Sequence, residues 1–227
     1  MSTSLSSEQI VAYERDGYVF PVPGLSPGEA DVLRQRLEAF EADSGEKAGS
    51  VIRNKGHLKL MAVFEAVSHP AILNAVEGVL GPDILCWGTS LFVKDPHDPT
   101  FVAWHQDSYF WGLEPDDVCS AWIALAPSTM ENGAMQVIPG SHKAPQFTHQ
   151  PSQVGSANML FTHEEIAVHV DQTKAVSLLL GQGEMSLHHV KIVHGSPPNV
   201  SNDRRYGLAI RYVAPHVRQL DSRDSAL

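Results

Sequence analysis

A chain of 227 residues with 43% hydrophobic and 19% charged residues has the make-up of an ordinary globular protein, long enough to bury a core. A formal net charge of -10 without any Lys/Arg-rich block excludes a nucleic-acid footprint, and no apolar run approaches a membrane span. Two cysteines, Cys86 and Cys119, make neither a disulfide framework nor a zinc motif, and the first residues carry no secretion signal, so a cytoplasmic protein with two buried free thiols is expected.

In chain order, Ser6, Ser7, Glu8 and Gln9 form a capping box that predicts a short helix with Ile10 and Tyr13 on one face, ended by Gly17. Residues 18–22 read as a strand. Ser26-Pro27-Gly28-Glu29 opens a second helix, with Pro27 suited to its first position and Ala30, Leu33, Leu37 and Phe40 at helical spacing. Residues 41–55 are polar and contain glycine, which predicts a mobile loop. Pro70 opens a third helix carrying Ile72, Leu73, Val76 and Leu80, and Gly81-Pro82 stops it.

Beyond Pro82 the pattern turns to short β-rich runs at 84–93, 101–105, 118–125 and 135–138, then 175–180, 184–188, 190–194 and 208–213. Lys94-Asp95-Pro96, Glu131-Asn132-Gly133, Pro139-Gly140-Ser141 and Gly181-Gln182-Gly183 divide them. About eight short strands predict a sandwich or jelly roll. Residues 143–174 form a long polar segment of the kind that serves as a lid. The whole, 1–227, reads as one domain, with a helical elaboration at about 6–82 and a β core at about 84–213. The chain stops soon after Tyr212 on a polar tail, 221–227, which predicts a pocket left open or covered by a partner subunit. The oligomeric state is left open.

The run Trp104-His105-Gln106-Asp107 carries the chemistry. Residues i and i+2 of a strand share a face, so His105 and Asp107 aim at one point. A bare His-x-Asp is ordinarily a solvated strand end, but Trp104 and Trp111 flank this one and point to a partly dry pocket. A histidine from a neighbouring strand, His194, completes two imidazoles and one carboxylate on one side of a metal. That arrangement suits a non-heme Fe(II) that activates oxygen. His188 shares strand parity with His194 and competes with it, or supports it from behind. His142 reads as a turn histidine. On the last long strand Arg205, Gly207, Ala209 and Arg211 share one face, and Tyr206, Leu208, Ile210 and Tyr212 the other. The face with small residues is placed inside the barrel and the apolar face against the helices. Arg204 falls outside. Arg211 either reaches the pocket or makes a structural ion pair, the second being favoured.

Several motifs resemble the phytanoyl-CoA dioxygenase family of Fe(II)/2-oxoglutarate oxygenases. They are Trp104-His105-Gln106-Asp107, Glu131-Asn132-Gly133 with Pro139-Gly140-Ser141-His142, and the run from His194-Gly195-Ser196 through Arg204-Arg205 to Ile210-Arg211-Tyr212. Asp16-Gly17-Tyr18 and Gly81-Pro82 also sit where such proteins have them, so the resemblance covers about residues 6–213. It implies a double-stranded β-helix (jelly roll, cupin-like) with N-terminal helices packed on one sheet. It implies His105, Asp107 and His194 as iron ligands. It places Arg205 against the distal carboxylate of 2-oxoglutarate, where a fixed planar cation is needed, with Ser196 assisting. It puts Lys94 near the cosubstrate or at the surface, Trp122 beside the cosubstrate or in the core, and Trp111 on the substrate-pocket wall. Phe92 and Phe110 fit a pocket wall and a core equally. Related halogenases carry a small residue where Asp107 stands, so halogenation is disfavoured. The implied activity is hydroxylation of a small organic molecule with O2, yielding succinate and CO2. Desaturation or cyclisation at the same site, and a non-catalytic jelly-roll binding protein, are the alternatives.

Overall fold

A computed structural model describes residues 4–160 and 163–220. Two serines start the first long helices in the same way. Ser6 accepts from the Gln9 amide while the Gln9 side chain returns to Ser6, opening α1 (Ser7–Asp16); Ser26 and Glu29 repeat this for α2 (Pro27–Ser44). β1 (Tyr18–Pro23) runs between them. The expected mobile loop at 41–55 is instead ordered. Residues 41–44 finish α2, and α3 (Ala48–Val51) follows, capped by a 2.9 Å hydrogen bond from the Ala48 amide to the Glu41 carboxylate. Ala48 and Ile52 are fully buried, and the Asn54 carbonyl accepts the Thr89 amide at 2.8 Å, which ties the segment to the sheet. Two buried side chains among polar neighbours decided its fate, and the polarity alone misled. A further helix without sequence warning, α4 (Met61–Val67), lacks any side-chain cap. α5 (Pro70–Leu80) starts and stops where Pro70 and Gly81 predict.

The remaining elements are β2 (Leu85–Lys94), β3 (Val102–His105), α6 (Ser108–Trp111), β4 (Leu113–Glu114), β5 (Val118–Ala124), β6 (Gln136–Val137), β7 (His149–Pro151), β8 (Glu164–Ile166), β9 (Val176–Ser177), β10 (Glu184–His189), β11 (His194–Ser196), β12 (Arg205–Val213) and β13 (Arg218–Gln219). An antiparallel major sheet has the order β1-β10-β5-β12-β2 and a minor sheet β3-β11-β6-β9; β13-β4 and β7-β8 are small pairs. The two larger sheets form the jelly roll.

Strand alternation divides the major sheet as expected. Cys119, Ala121, Ile123, Leu187, Tyr206, Leu208 and Ile210 pack against Leu33, Leu37, Val63, Ile72 and Val76 of the helices. The opposite face puts Trp122, Ala124 and Ala209 against Met135, Val137, Leu178 and Ile192, between the sheets. Tyr212 keeps its place on the helical side by donating to the Val67 carbonyl at 2.8 Å. The expected strand at 190–194 is a crossover. The Ile192 amide turns back to the His189 carbonyl at 3.0 Å, and the chain leaves β10 in one sheet to enter β11 in the other.

The segment 143–174 is a built wall rather than a detached flap. The Met159 amide donates to Phe101 at 2.8 Å, the Phe101 amide to Ala157 at 3.1 Å and the Ala103 amide to the Asn158 side chain at 3.2 Å, which fasten it to the start of β3. Residues 161–162 of that segment, and the tail 221–227, lie outside the described residues. Cys119 is a buried free thiol, whereas Cys86 is half-buried rather than buried. Among the described residues no helix is long and apolar enough to cross a membrane.

Candidate active site

His105 at the end of β3 lies directly opposite His194 of β11 in the ladder, with ring centroids 4.0 Å apart. Asp107 joins them by a different route from the one its spacing suggests. β3 ends at His105, and Asp107 adopts helical backbone as the cap residue of α6, which turns its carboxylate back so that an oxygen lies 3.4 Å from His105 Nε2. The candidate ligand atoms of the three buried residues all fall within 4.8 Å of one another, and no other such group occurs among the described residues. His105 Nδ1 donates to the Ala103 carbonyl at 2.8 Å and His194 Nδ1 to the Ile192 carbonyl at 3.0 Å. A carbonyl only accepts, so both protons sit on Nδ1 and both Nε2 lone pairs are available to a metal. Burial pushes His194 down to about 3, which keeps it neutral. Burial alone would raise the Asp107 carboxyl, but its polar surroundings, the Arg211 guanidinium among them, outweigh it and hold the acid well below its ordinary range. Two neutral imidazoles and a carboxylate on one side of a gap are a donor set that fits Fe(II). Gln106, between the ligands, holds the turn from behind: Nε2 donates to Lys191 and Oε1 accepts from the Phe147 amide, both at 2.8 Å.

Arg205, at the start of β12, shares this pocket and is almost completely buried. It donates from Nη1 to the Gly133 carbonyl, its Cζ lies 5.5 Å from the Trp122 ring centroid, and Nε has no hydrogen-bond partner. Among the described residues no carboxylate lies within ion-pair distance of it. Burial lowers it to about 10, so it remains a cation. A buried, unneutralised guanidinium beside a metal-ligand set fits one end of a dicarboxylate. Gly133 has φ +81°, and a Cβ there would meet the Pro197 carbonyl oxygen at 2.4 Å, so the Glu131-Asn132-Gly133 turn presses on the loop after β11 while presenting its carbonyl to Arg205. Lys94 is fully buried and not at the surface. Nζ donates to Ser196 Oγ at 2.8 Å and to the Pro197 carbonyl, and burial together with the Arg205 charge pushes it down to about 6. Ser196 and Trp122 both line the pocket.

The other expected residues divide. Arg211 is on the pocket wall, donating from Nη1 to Ser90 Oγ at 2.6 Å. Trp111 is not on that wall. It packs behind it, 5.1 Å from Trp87, with the Arg211 Cζ 5.3 Å above its ring, because α6 carries it away from the mouth of β3. Trp104 alternates away from His105 and lines a separate outer groove. Phe92 lines the pocket and Phe110 belongs to the core. His188 is buried on the pocket wall, its ring centroid 5.2 Å from that of His194, and burial lowers it to about 4. His142 is structural, bonding the Glu14 carbonyl at 3.2 Å, and Arg204 is paired with Glu41 and Asp95 outside the barrel.

Sequence reasoning passed over Gln106, Asn199 and Leu160. Asn199 is buried and donates to the Lys94, Asp95 and Asp203 carbonyls, shaping the loop between Ser196 and Arg205. Its place among prolines and polar residues was a signal for such a role. Leu160 reaches the pocket from the 143–174 wall, for which the sequence carries no signal.

A family model described as phytanoyl-CoA dioxygenase (PhyH) matches residues 13–207. A probable alpha-ketoglutarate-dependent hypophosphite dioxygenase of Stutzerimonas stutzeri is 32% identical over 176 residues, which are 77% of this chain and 61% of that protein. The L-proline trans-4-hydroxylase of Streptomyces griseoviridis is 30% identical over 229 residues, covering 89% of this chain and 84% of that one. A solved structure described as a non-heme monooxygenase, ThoJ in its apo form, superposes with a TM-score of 0.81 at 35% identity, over 94% of this chain and 80% of that one.

Proposed function

Because the chain belongs to the phytanoyl-CoA dioxygenase family and is thereby an Fe(II)- and 2-oxoglutarate-dependent dioxygenase, we propose that it hydroxylates a small organic molecule at the His105–Asp107–His194 centre. The observation that carries the reading is the pairing of this triad with the buried Arg205 in one pocket. The shared fold and the donor set support iron and 2-oxoglutarate as the groups that fit it.

His105, Asp107 and His194 would hold the metal, with the Ala103 and Ile192 carbonyls fixing the two imidazole tautomers. Arg205 would bind the distal carboxylate of 2-oxoglutarate. Ser196, held by Lys94 Nζ, would offer that carboxylate a hydroxyl. Iron and 2-oxoglutarate, when bound, would supply the chemistry by which O2 turns a C–H bond into C–OH, one oxygen atom going to the product and the other to succinate, with CO2 released. The protein's share is to orient the cosubstrate, keep His194 neutral by burial, and exclude water with Phe92, Val102, Met135 and Leu160. The catalytic unit is 1–227, with the segment about 6–82 as a helical buttress, and the free thiols suit a reducing cytoplasm.

The test is a metabolite panel screened for substrate-stimulated succinate release, with the product examined for one added oxygen. A product that gains oxygen, formed by the wild type and not by Asp107→Ala, is the expected result. A product that loses two hydrogens instead identifies desaturation or cyclisation, and stimulation that survives Asp107→Ala removes the metal assignment.

A further inference from the structure

We propose that His188 donates a hydrogen bond to the metal-side carboxylate of 2-oxoglutarate and so positions the end of the cosubstrate opposite the one held by Arg205; this rests on the triad as the iron site and on Arg205 as the partner of the distal carboxylate. Strand alternation turns His188 inward, because Met185 and Leu187 of β10 pack with the helices. The ring is buried and lines the same pocket as the triad and Arg205, with its centroid 5.2 Å from that of His194. His188 is not one of the three grouped donors, so ligation does not explain its place.

Hydrogen bonding sets His188 apart from the residues around it. His105 and His194 each commit Nδ1 to a carbonyl two residues back, and Arg205, Ser196 and Arg211 are bonded to Gly133, Lys94 and Ser90. His188 Nδ1 is buried without a partner. The neighbouring strands do not answer it. Ser120, directly opposite in β5, is buried with its own Oγ unpartnered, and Tyr18, opposite in β1, places its ring 6.0 Å from that of Phe20. A neutral imidazole has one N–H and one lone pair. An orphaned N–H is rarer in protein interiors than an orphaned acceptor. The proton therefore belongs on Nε2, the nitrogen left for the pocket, and a donor so placed calls for an acceptor from a ligand.

The cosubstrate brings that acceptor. Arg205 answers its distal carboxylate. A 2-oxo acid binds a divalent metal through its keto oxygen and one carboxylate oxygen, which leaves the second carboxylate oxygen as an acceptor beside the metal. An N–H close to the triad meets that oxygen with a charge-assisted hydrogen bond. Phe92, Val102, Met135 and Ala209, which share the pocket, offer only apolar surface. The His188 ring is held by burial before any ligand arrives, so the contact needs little ordering on binding. Contacts at both ends of the keto acid leave it one orientation, which is what a reaction at the metal requires.

The test uses the full chain with Mn(II) in place of iron, so that 2-oxoglutarate binds without turnover and calorimetry reads its affinity. His188→Phe keeps a flat ring and removes the donor. The expected result is a Kd for 2-oxoglutarate raised about tenfold to a hundredfold, the range of a hydrogen bond to a charged group, with Mn(II) affinity within about twofold of the wild type. His188→Gln, which keeps an N–H, falls between. In the anaerobic complex of Fe(II) and 2-oxoglutarate, the visible charge-transfer band moves in His188→Phe. It stays in place in Arg205→Met at saturating cosubstrate, because only His188 touches the metal end. Unchanged 2-oxoglutarate affinity in His188→Phe, a fall matched by an equal fall in Mn(II) affinity, or an unmoved band overturns the proposal. A crystal structure of the wild type with Mn(II) and 2-oxoglutarate decides it even if a variant fails to fold. A carboxylate oxygen within about 3.2 Å of His188 Nε2 supports it; water alone beside the ring, or a keto acid turned away from it, overturns it. Wild type that binds no 2-oxoglutarate with Mn(II) removes the cosubstrate reading itself, whereas wild-type binding that His188→Phe leaves unchanged removes only the role of His188.

Discussion

Arg205 is the residue whose environment makes the sharpest demand. A guanidinium drawn from 12.5 to about 10 by burial carries roughly 3 kcal/mol of destabilisation at neutral pH, partly offset by its bond to the Gly133 carbonyl. A dicarboxylate bound beside it would offset that cost, so the proposed cosubstrate site would link binding to stability. Arg205→Met is expected to melt no lower than the wild type without ligand. It should lose 2-oxoglutarate affinity by about two decades or more, the scale of breaking a buried ion pair. Thermal melts with and without 2-oxoglutarate and Mn(II) check both statements: the wild type should shift upward and the variant should not. A variant still stabilised by 2-oxoglutarate would assign the distal carboxylate elsewhere. Asp107 works in the opposite sense, since it brings the negative charge that a divalent ion requires. Asp107→Ala should reduce Mn(II) affinity by tenfold or more, roughly the loss seen when metal support is removed; titration calorimetry reads it directly.

At the level of elements, β12 does most to build the site, and its alternation is legible in the sequence. Tyr206, Leu208 and Ile210 face the helices, while Arg205, Gly207, Ala209 and Arg211 face inward. Gly207 shows why this face needs small residues, because a Cβ there would lie 2.0 Å from the Trp122 ring. Gly207→Ala should therefore destabilise the protein by about 1–3 kcal/mol, as overpacking does, with part of the loss recovered by adding Trp122→Leu. Denaturant midpoints measure this, and an unaffected single variant would mean that the Trp122 ring moves freely. The His105 and His194 pairing was readable because strands place opposite residues in contact. The approach of Asp107 was misread, since strand parity does not apply where the backbone has already entered α6. Trp111 was misplaced for the same reason. Residues 41–55 illustrate another limit: Ala48 and Ile52 are buried by contacts with distant elements, which local polarity does not record.

For the whole molecule, the buried histidines set an acid boundary. His188 and His189 lie at about 4 and His194 at about 3, all lowered from 6.5 by burial. The unfolded chain takes up these protons below about pH 6.5, whereas the folded chain refuses them until about pH 4 or lower. Their contribution to stability is thus complete above about 6.5 and is lost as pH falls through that window. The metal-free protein should show a falling denaturation midpoint from about pH 7 to about pH 5, and a flat midpoint would mean that these imidazoles are solvated. Above that boundary the two sheets and Leu160 line a pocket that presents three candidate metal donors and two arginines. Coupling of iron to 2-oxoglutarate in this pocket is the activity proposed for the molecule. Aerobic succinate formation from 2-oxoglutarate by the purified chain, with and without added Fe(II), tests it most directly. Iron-dependent succinate from the wild type and none from Asp107→Ala is the predicted result; no succinate from iron-loaded wild type, or undiminished succinate from Asp107→Ala, would contradict it.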